Sequence, residues 1–199
     1  MRLVVTGTDT DIGKTVFAAG LCGFLGMRYW KPVQAGVPGD RETVAALSGV
    51  DTLPEVYRLK LPASPHQSAA EEGIAIDSDR LVPPEDNVVI EGAGGLMVPL
   101  TRQTLFIDVF ARWQIPVILC ARTALGTINH TLLSIAAIRA RSIPLQGVAF
   151  IGEANAESEG IIAEIGQVKR LGRLPPIKPL TRDSLRAAFA ENFRREEFT

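Results

Sequence analysis

The chain has 199 residues, 46% of them hydrophobic and 22% charged, with 21 basic against 22 acidic side chains. That length suits one α/β domain, and the composition excludes disordered, collagen-like and coiled-coil architectures. The near-neutral balance offers no broad cationic face for nucleic acid or an anionic membrane, although a small local cationic pocket stays compatible with it. Cys22 and Cys120 each sit inside an apolar run, which fits buried free thiols in a reducing compartment rather than a disulfide framework. Met1-Arg2 is followed by only three aliphatic residues before Thr6-Gly7, so no secretory leader is visible. The longest uncharged apolar stretch, Val16 to Met27, falls short of the roughly 20 residues needed to span a bilayer. The expectation is a cytoplasmic protein with neither nucleic acid nor membrane as partner.

In chain order, Leu3-Val4-Val5 reads as a buried strand ending at Thr6-Gly7, and Lys14 to Met27 as a helix whose Ala18, Ala19, Gly20 and Gly23 allow close packing. Tyr29 to Val33 reads as extended, because the residue before Pro32 is pushed out of the α region. Glu42 to Leu47 suggests a short helix, and the proline-rich segment 51–86 suggests short helices and loops. Val88-Val89-Ile90, Ile115 to Cys120 and Leu145 to Ile151 read as buried strands, with a shorter one at Arg170 to Leu174. Helices are expected over Thr127 to Ala140, Glu157 to Val168 and Thr181 to Phe193. Strands that alternate with helices and run as near-continuous Val/Ile/Leu predict an α/β fold, a mostly parallel sheet with helices on both faces. No repeat or linker divides it, so a single domain is expected.

The first junction carries the clearest chemistry. Gly7-Thr8-Asp9-Thr10-Asp11-Ile12-Gly13-Lys14-Thr15 follows a strand and opens a helix, the context of a phosphate-binding P-loop. Gly13 lets backbone approach phosphate, the N–H groups of the helix start face anionic oxygens, Lys14 reaches the β/γ-phosphates and Thr15 offers a hydroxyl to Mg²⁺. The usual spacing would place the first glycine at Thr8, so Gly7 stands one residue early. Asp9 and Asp11 look out of place for phosphate alone. Asp9 can cap the loop's own N–H groups and Asp11 can cap the helix, or both can face a cation such as an amine.

Three further positions add to the loop. Lys31 lies at a strand end, where open α/β sheets bind ligands, and is either solvated or a second cation for a transferring phosphoryl group. Asp40 follows Gly39 at a helix start and suits an N-cap. Glu91 follows Val88-Val89-Ile90, where nucleotide hydrolases keep a metal carboxylate, and Gly92-Ala93-Gly94-Gly95 then lets a ligand approach the backbone. Gly126-Thr127-Ile128-Asn129-His130 opens a helix and is either ordinary capping by Thr127 or a nest for an anion such as a carboxylate. His66 and His130 lack any local ligand or triad pattern.

Together Thr6 to Thr15, Lys31-Pro32-Val33 with Gly36, Ser64-Pro65-His66, Glu91 to Gly95 and Gly126 to His130 resemble the dethiobiotin synthetase family, over nearly the whole chain. The displaced glycine is that family's own variant of the P-loop. The resemblance implies a P-loop NTPase-like fold and a homodimer that converts 7,8-diaminononanoate, CO₂ (or bicarbonate) and MgATP to dethiobiotin, ADP and phosphate. A substrate amine takes up CO₂ as a carbamate, the carbamate attacks the γ-phosphate to give a carbamic–phosphoric anhydride, and the second amine closes the ring.

By the same resemblance, Asp11, Ile12, Gly13, Lys14, Thr15 and Val16 hold the phosphates, and Thr15, Asp40 and Glu91 hold Mg²⁺. Lys14 and Lys31 stabilise charge, with Thr10 and the Ala35 position near the diamine. Glu91, Gly92, Ala93 and Gly94 line the nucleotide site, Pro175, Pro176 and Ile177 meet the base, and Thr127, Ile128 and Asn129 receive the substrate carboxylate from the neighbouring subunit. Two positions depart from the family. Ala35 replaces a frequent hydroxyl residue, and Ile151-Gly152 replaces the Asn-Asp pair that reads adenine.

The competing reading is a P-loop ATPase switch of the partition or septum-site type, but those proteins carry an extra loop lysine where this chain has Asp9. An amidating ligase of the cobyrinic acid type would need a glutaminase domain, for which 199 residues leave no room.

Overall fold

The computed structural model describes residues 1–85 and 87–198; Asp86, within the proline-rich segment, lies outside them. The strands are β1 (Arg2–Gly7), β2 (Arg28–Trp30), β3 (Val33–Ala35), β4 (Thr52–Leu53), β5 (Tyr57–Leu59), β6 (Val88–Gly95), β7 (Val117–Arg122), β8 (Leu145–Ile151) and β9 (Arg170–Leu174). The α-helices are α1 (Lys14–Leu25), α2 (Asp40–Ser48), α3 (Pro65–Glu71), α4 (Phe106–Trp113), α5 (Thr127–Ala140), α6 (Ala156–Gly166) and α7 (Arg182–Asn192). Seven strands form one sheet in the order β4-β2-β6-β1-β7-β8-β9, every pair parallel, while β3 and β5 make a separate two-stranded sheet.

The predicted α/β architecture is therefore present, and strand periodicity explains the two cores. Leu3, Val5, Val89, Ile118 and Cys120 point to one face, where they pack with Phe17, Leu21 and Phe189 of α1 and α7. Val4, Val88, Ile90, Val117 and Leu119 point to the other, against Phe106 and Phe110 of α4 and Ile135 and Ile138 of α5. Both sides of the central strands β1, β6 and β7 are dry, which is why these segments read as apolar runs. Among the described residues no helix is long and apolar enough to cross a membrane. Cys22 and Cys120 are free and buried as expected, and burial pushes both thiols well above their usual pKa.

Several elements differ from the sequence expectation. The extended segment Tyr29 to Val33 is broken: β2 stops at Trp30, and the chain leaves the main sheet through Lys31-Pro32 to pair β3 with β5. Pro32 has no N–H for the ladder, and its carbonyl instead accepts from the N–H groups of Val56 and Tyr57 at 2.9 and 3.1 Å. Helix α4 was not expected at all. Phe106, Val109, Phe110 and Trp113 nevertheless hold helical spacing and all but Trp113 are fully buried, the signal from which it was readable. The segment 51–86, expected as short helices and loops, also carries the strands β4 and β5, and β6 runs on from Ile90 through Glu91 to Gly95. Elsewhere the expected helices and strands are present, with ends shifted by a residue or two, as frayed termini allow.

Candidate active site

The loop from Thr8 to Gly13 joins β1, the central strand, to α1. Its carboxyl end lies where the strand order diverges to β6 on one side and β7 on the other, the position at which open α/β sheets bind ligands. Gly13 is the helix cap at φ 94°, a left-handed conformation that favours glycine. The early glycine also has a steric cause. A Cβ on Gly7 would stand 2.5 Å from Ile12 Cδ1 and 2.9 Å from Lys14 Cδ, because the loop folds back over it.

Asp9 caps the loop as expected, with its Oδ1 accepting the Thr10 N–H at 2.8 Å. Asp11 does not cap α1, since Gly13 occupies that position and Asp11 is exposed at φ 53°. A cation faces Asp9 after all, and it comes from the chain itself. Arg122, at the end of β7, lies 3.4 Å from Asp9 Oδ2 and donates to the Thr10 carbonyl at 3.2 Å.

Lys14 is buried and donates from Nζ to the Asp9 carbonyl at 2.7 Å. Burial lowers its pKa, and the attraction of Glu91 only partly offsets that.

Glu91 is fully buried on the α1 face of β6, two residues beyond Val89. Its Oε1 accepts from the Thr15 hydroxyl at 2.9 Å and lies 3.5 Å from Lys31 Nζ, while Oε2 accepts from the Tyr29 hydroxyl at 2.8 Å. Lys31 also bonds Asp40 directly. Burial alone would lower the Lys31 pKa, but Glu91 and Asp40 outweigh it and raise the pKa above the ordinary lysine value. Burial, then Glu91, pushes the Tyr29 hydroxyl well up, so it stays protonated and a donor.

Asp40 is not the N-cap of α2, a place Gly39 takes. It is the first helical residue, and its backbone N–H donates to Gln34 Oε1 at 3.1 Å. The Gln34 amide in turn donates to the carbonyls of Ala35 and Gly36, which fixes the turn that sets Asp40 against Lys31.

These groups border a cleft of about 770 Å³. The cleft brings together Thr10, Asp11, Gly13, Lys14, Thr15, Val16, Lys31, Ala35, Asp40, Glu91, Ala93 and Gly94 from the sequence candidates, and adds Gln34, Val98 and the Ser64-Pro65 turn. Ile12 is instead a core residue. Gly92 is a packing position, where a Cβ would stand 2.8 Å from Phe110 Cζ. Thr127, Ile128, Asn129, Pro175, Pro176 and Ile177 do not border this cleft within one chain. Nor does Thr127 cap α5: Gly126 does so at φ 92°, while the Thr127 hydroxyl donates to the Arg122 carbonyl. Tyr29, Gln34 and Arg122 are site residues that the sequence did not announce.

A family model described as an AAA domain matches residues 1–184. The ATP-dependent dethiobiotin synthetase BioD of Rhodopseudomonas palustris (strain BisB18) is 62% identical, across 100% of this chain and 98% of that protein. The chain belongs to the dethiobiotin synthetase family. The proteins of the same name from Bradyrhizobium diazoefficiens and Sphingopyxis alaskensis are 58% and 56% identical, each covering 99% of this chain and 97% and 98% of their own lengths.

Among solved structures, a ParA family ATPase from Chlorobium tepidum aligns with a TM-score of 0.58 at 8% identity, over 96% of this chain and 91% of that one. The septum site-determining protein MinD from Pyrococcus horikoshii aligns with a TM-score of 0.57 at 12% identity, over 94% and 86%. At such identity these two show a shared P-loop NTPase fold and nothing of function. The dethiobiotin synthetase relatives combine near full-length coverage with 56–62% identity, and they carry the family assignment.

Proposed function

We propose that this chain, as one synthetase domain over residues 1–199, joins 7,8-diaminononanoate and CO₂ into dethiobiotin at the expense of MgATP. The observation that carries this reading is the meeting of Lys14, Thr15, Lys31, Asp40 and Glu91 at the mouth of a phosphate loop. Phosphoryl transfer asks for positioning and charge neutralisation, and this set supplies both without a histidine or cysteine.

The N–H groups that open α1 cradle the phosphates, while Lys14 and Lys31 oppose the charge that develops during transfer. One substrate amine adds to CO₂ and loses a proton to give a carbamate. A carbamate oxygen bonds to the γ-phosphorus as the bond to ADP breaks. The second amine then attacks the carbamoyl carbon, the bond from that carbon to the phosphate oxygen breaks, and the nitrogen loses a proton as the ring closes and phosphate leaves. Thr10, at the mouth, offers its hydroxyl to the diamine and its carbamate.

The residues present fit a magnesium ion. Thr15, Asp40 and Glu91 give an all-oxygen donor set, as hard cations require. No group of three or more His, Cys, Asp or Glu among the described residues could hold a metal alone, which suits an ion that completes its shell with water and nucleotide phosphates. When bound, it would neutralise charge across the β- and γ-phosphates.

The dimer belongs to the same proposal. Leu125, Ile128 and Leu133 on and beside α5 are exposed at 107, 36 and 61%, as is Met97 at 55%. Such apolar surface beside the helix start at Thr127 supports a subunit interface, across which Thr127, Ile128 and Asn129 receive the partner's substrate carboxylate. A cytoplasmic location completes the reading.

The test is the requirement for substrate. ADP release should depend on both diamine and bicarbonate; steady hydrolysis in the absence of diamine would instead favour a nucleotide switch.

Base selectivity follows from the end of β8. The Gly152 N–H donates to the Leu174 carbonyl at 3.0 Å, the Gly152 carbonyl accepts from Arg173 at 3.0 Å, and the Ile151 carbonyl accepts from the Thr123 N–H at 3.1 Å. With an apolar side chain at Ile151, none at Gly152, and both carbonyls and the Gly152 N–H engaged within the chain, Pro175, Pro176 and Ile177 would meet the base by shape. Turnover with CTP and GTP should therefore lie within roughly 10- to 100-fold of ATP. A preference for ATP above about 10⁴-fold, the mark of dedicated hydrogen-bond readout, would contradict this.

A further inference from the structure

Glu91 has two oxygens and the structure gives them different partners. Oε1 faces Thr15 and Lys31, and Oε2 takes the Tyr29 hydroxyl at 2.8 Å. The sheet dictates this arrangement. β2 pairs in parallel with β6 so that Tyr29 lies opposite Val89. Side chains two residues apart along a strand share a face, so Glu91 stands one rung beyond Val89 on the side that Tyr29 also faces. The long tyrosine side chain spans that rung. Both residues are 0% exposed, so no solvent competes for Oε2.

We propose that Tyr29 is a positioning residue for the phosphoryl-transfer site. Its hydroxyl stops rotation of the Glu91 carboxylate and commits Oε2, so that Oε1 alone is presented toward Thr15, Lys31 and the metal. The inference rests on the reading of Glu91 as a metal-side carboxylate. Partners of this kind, one bond removed from the ion, fix ligand orientation, and their loss typically costs about 10- to 100-fold in metal affinity or activity. No other hydrogen-bond donor to Oε2 is present among the described residues, whereas Oε1 has two neighbours.

Tyr29→Phe removes the hydroxyl and keeps the ring, so the packing of the α1-side core is retained. The informative quantity is the ratio of ATP affinity with Mg²⁺ to ATP affinity in chelator, measured by titration calorimetry on the purified full chain. The expected result is a ratio reduced by about 10-fold, with affinity in chelator unchanged and more Mg²⁺ needed for half-maximal turnover. A structural defect would weaken both affinities together. An unchanged ratio in Tyr29→Phe, alongside a reduced ratio in Glu91→Gln, overturns the role of Tyr29. An unchanged ratio in Glu91→Gln overturns the metal-side reading of Glu91 itself, and Tyr29's role with it.

Discussion

Lys31→Met is expected to lower kcat by roughly 10²-fold or more while ATP still binds. Lys31 leaves the main sheet just after Trp30, because Pro32 ends the ladder, and so its side chain enters the cleft rather than solvent. Its ammonium lies between Asp40 and Glu91, both of which hold its charge in place. A charge fixed before the reaction needs no reorganisation as the phosphoryl group transfers, and this makes its removal costly in kcat rather than in KM. Methionine retains the aliphatic stem and removes only the charge. Glu91 then loses one of its three close partners, so thermal unfolding should be recorded beside the kinetics to keep the two losses apart. Steady-state kinetics at saturating MgATP, diamine and bicarbonate decide the matter, and a kcat equal to that of the unmodified protein would remove Lys31 from the mechanism.

The largest effect on stability is expected at Phe189. This side chain of α7 is fully buried, with ring centroids 5.5 Å from Phe17, 5.9 Å from Phe24 and 4.6 Å from Phe193. It presses on α1 at Gly20, where any Cβ would overlap the ring. The missing side chain at Gly20 is thus the socket for the aromatic cluster that closes one face of the sheet. Phe189→Ala should cost about 3–5 kcal/mol through lost burial and an unfilled cavity, or roughly 6–20 °C in Tm for a chain of this length. Gly20→Ala should cost about 1–3 kcal/mol from the opposite cause, overpacking. The double variant should be more stable than the sum of the two losses implies, since the added methyl enters the space the ring vacates. Urea unfolding measures all three, and a loss below about 1 kcal/mol in Phe189→Ala would contradict this account of the core.

What the sequence could and could not reveal follows from how far each feature reaches along the chain. The strands β1, β6, β7 and β8 were legible because burial on both faces leaves a short apolar run in each, whereas β9, interrupted by Arg170, Gly172 and Arg173, shows only Leu171 and Leu174 to the core. The sheet of β3 and β5 was not, since it depends on a pairing across the proline-rich segment in which neither three-residue strand has a pattern of its own. In the site, Lys14, Thr15, Lys31 and Glu91 were legible from their places at strand and helix ends, and the structure does bring them together. Asp40 was picked out for the wrong local reason, because a residue next to Gly39 looks like a cap until Lys31 is seen opposite it. Tyr29 was hidden among core aromatics, for its hydroxyl matters only once β2 lies beside β6. Arg122 bonds the phosphate loop across 113 positions of sequence, a separation no local pattern reports.

The central claim is that the lysines and carboxylates of this cleft serve carbamate phosphorylation and ring closure. Incubation of the purified protein with MgATP, 7,8-diaminononanoate and carbon-labelled bicarbonate, followed by mass spectrometry, tests it most directly. The predicted result is dethiobiotin carrying the label in its ureido carbon, with one ADP and one phosphate released for each ring closed. Release of ADP without labelled dethiobiotin, or no turnover with both co-substrates present, would contradict it.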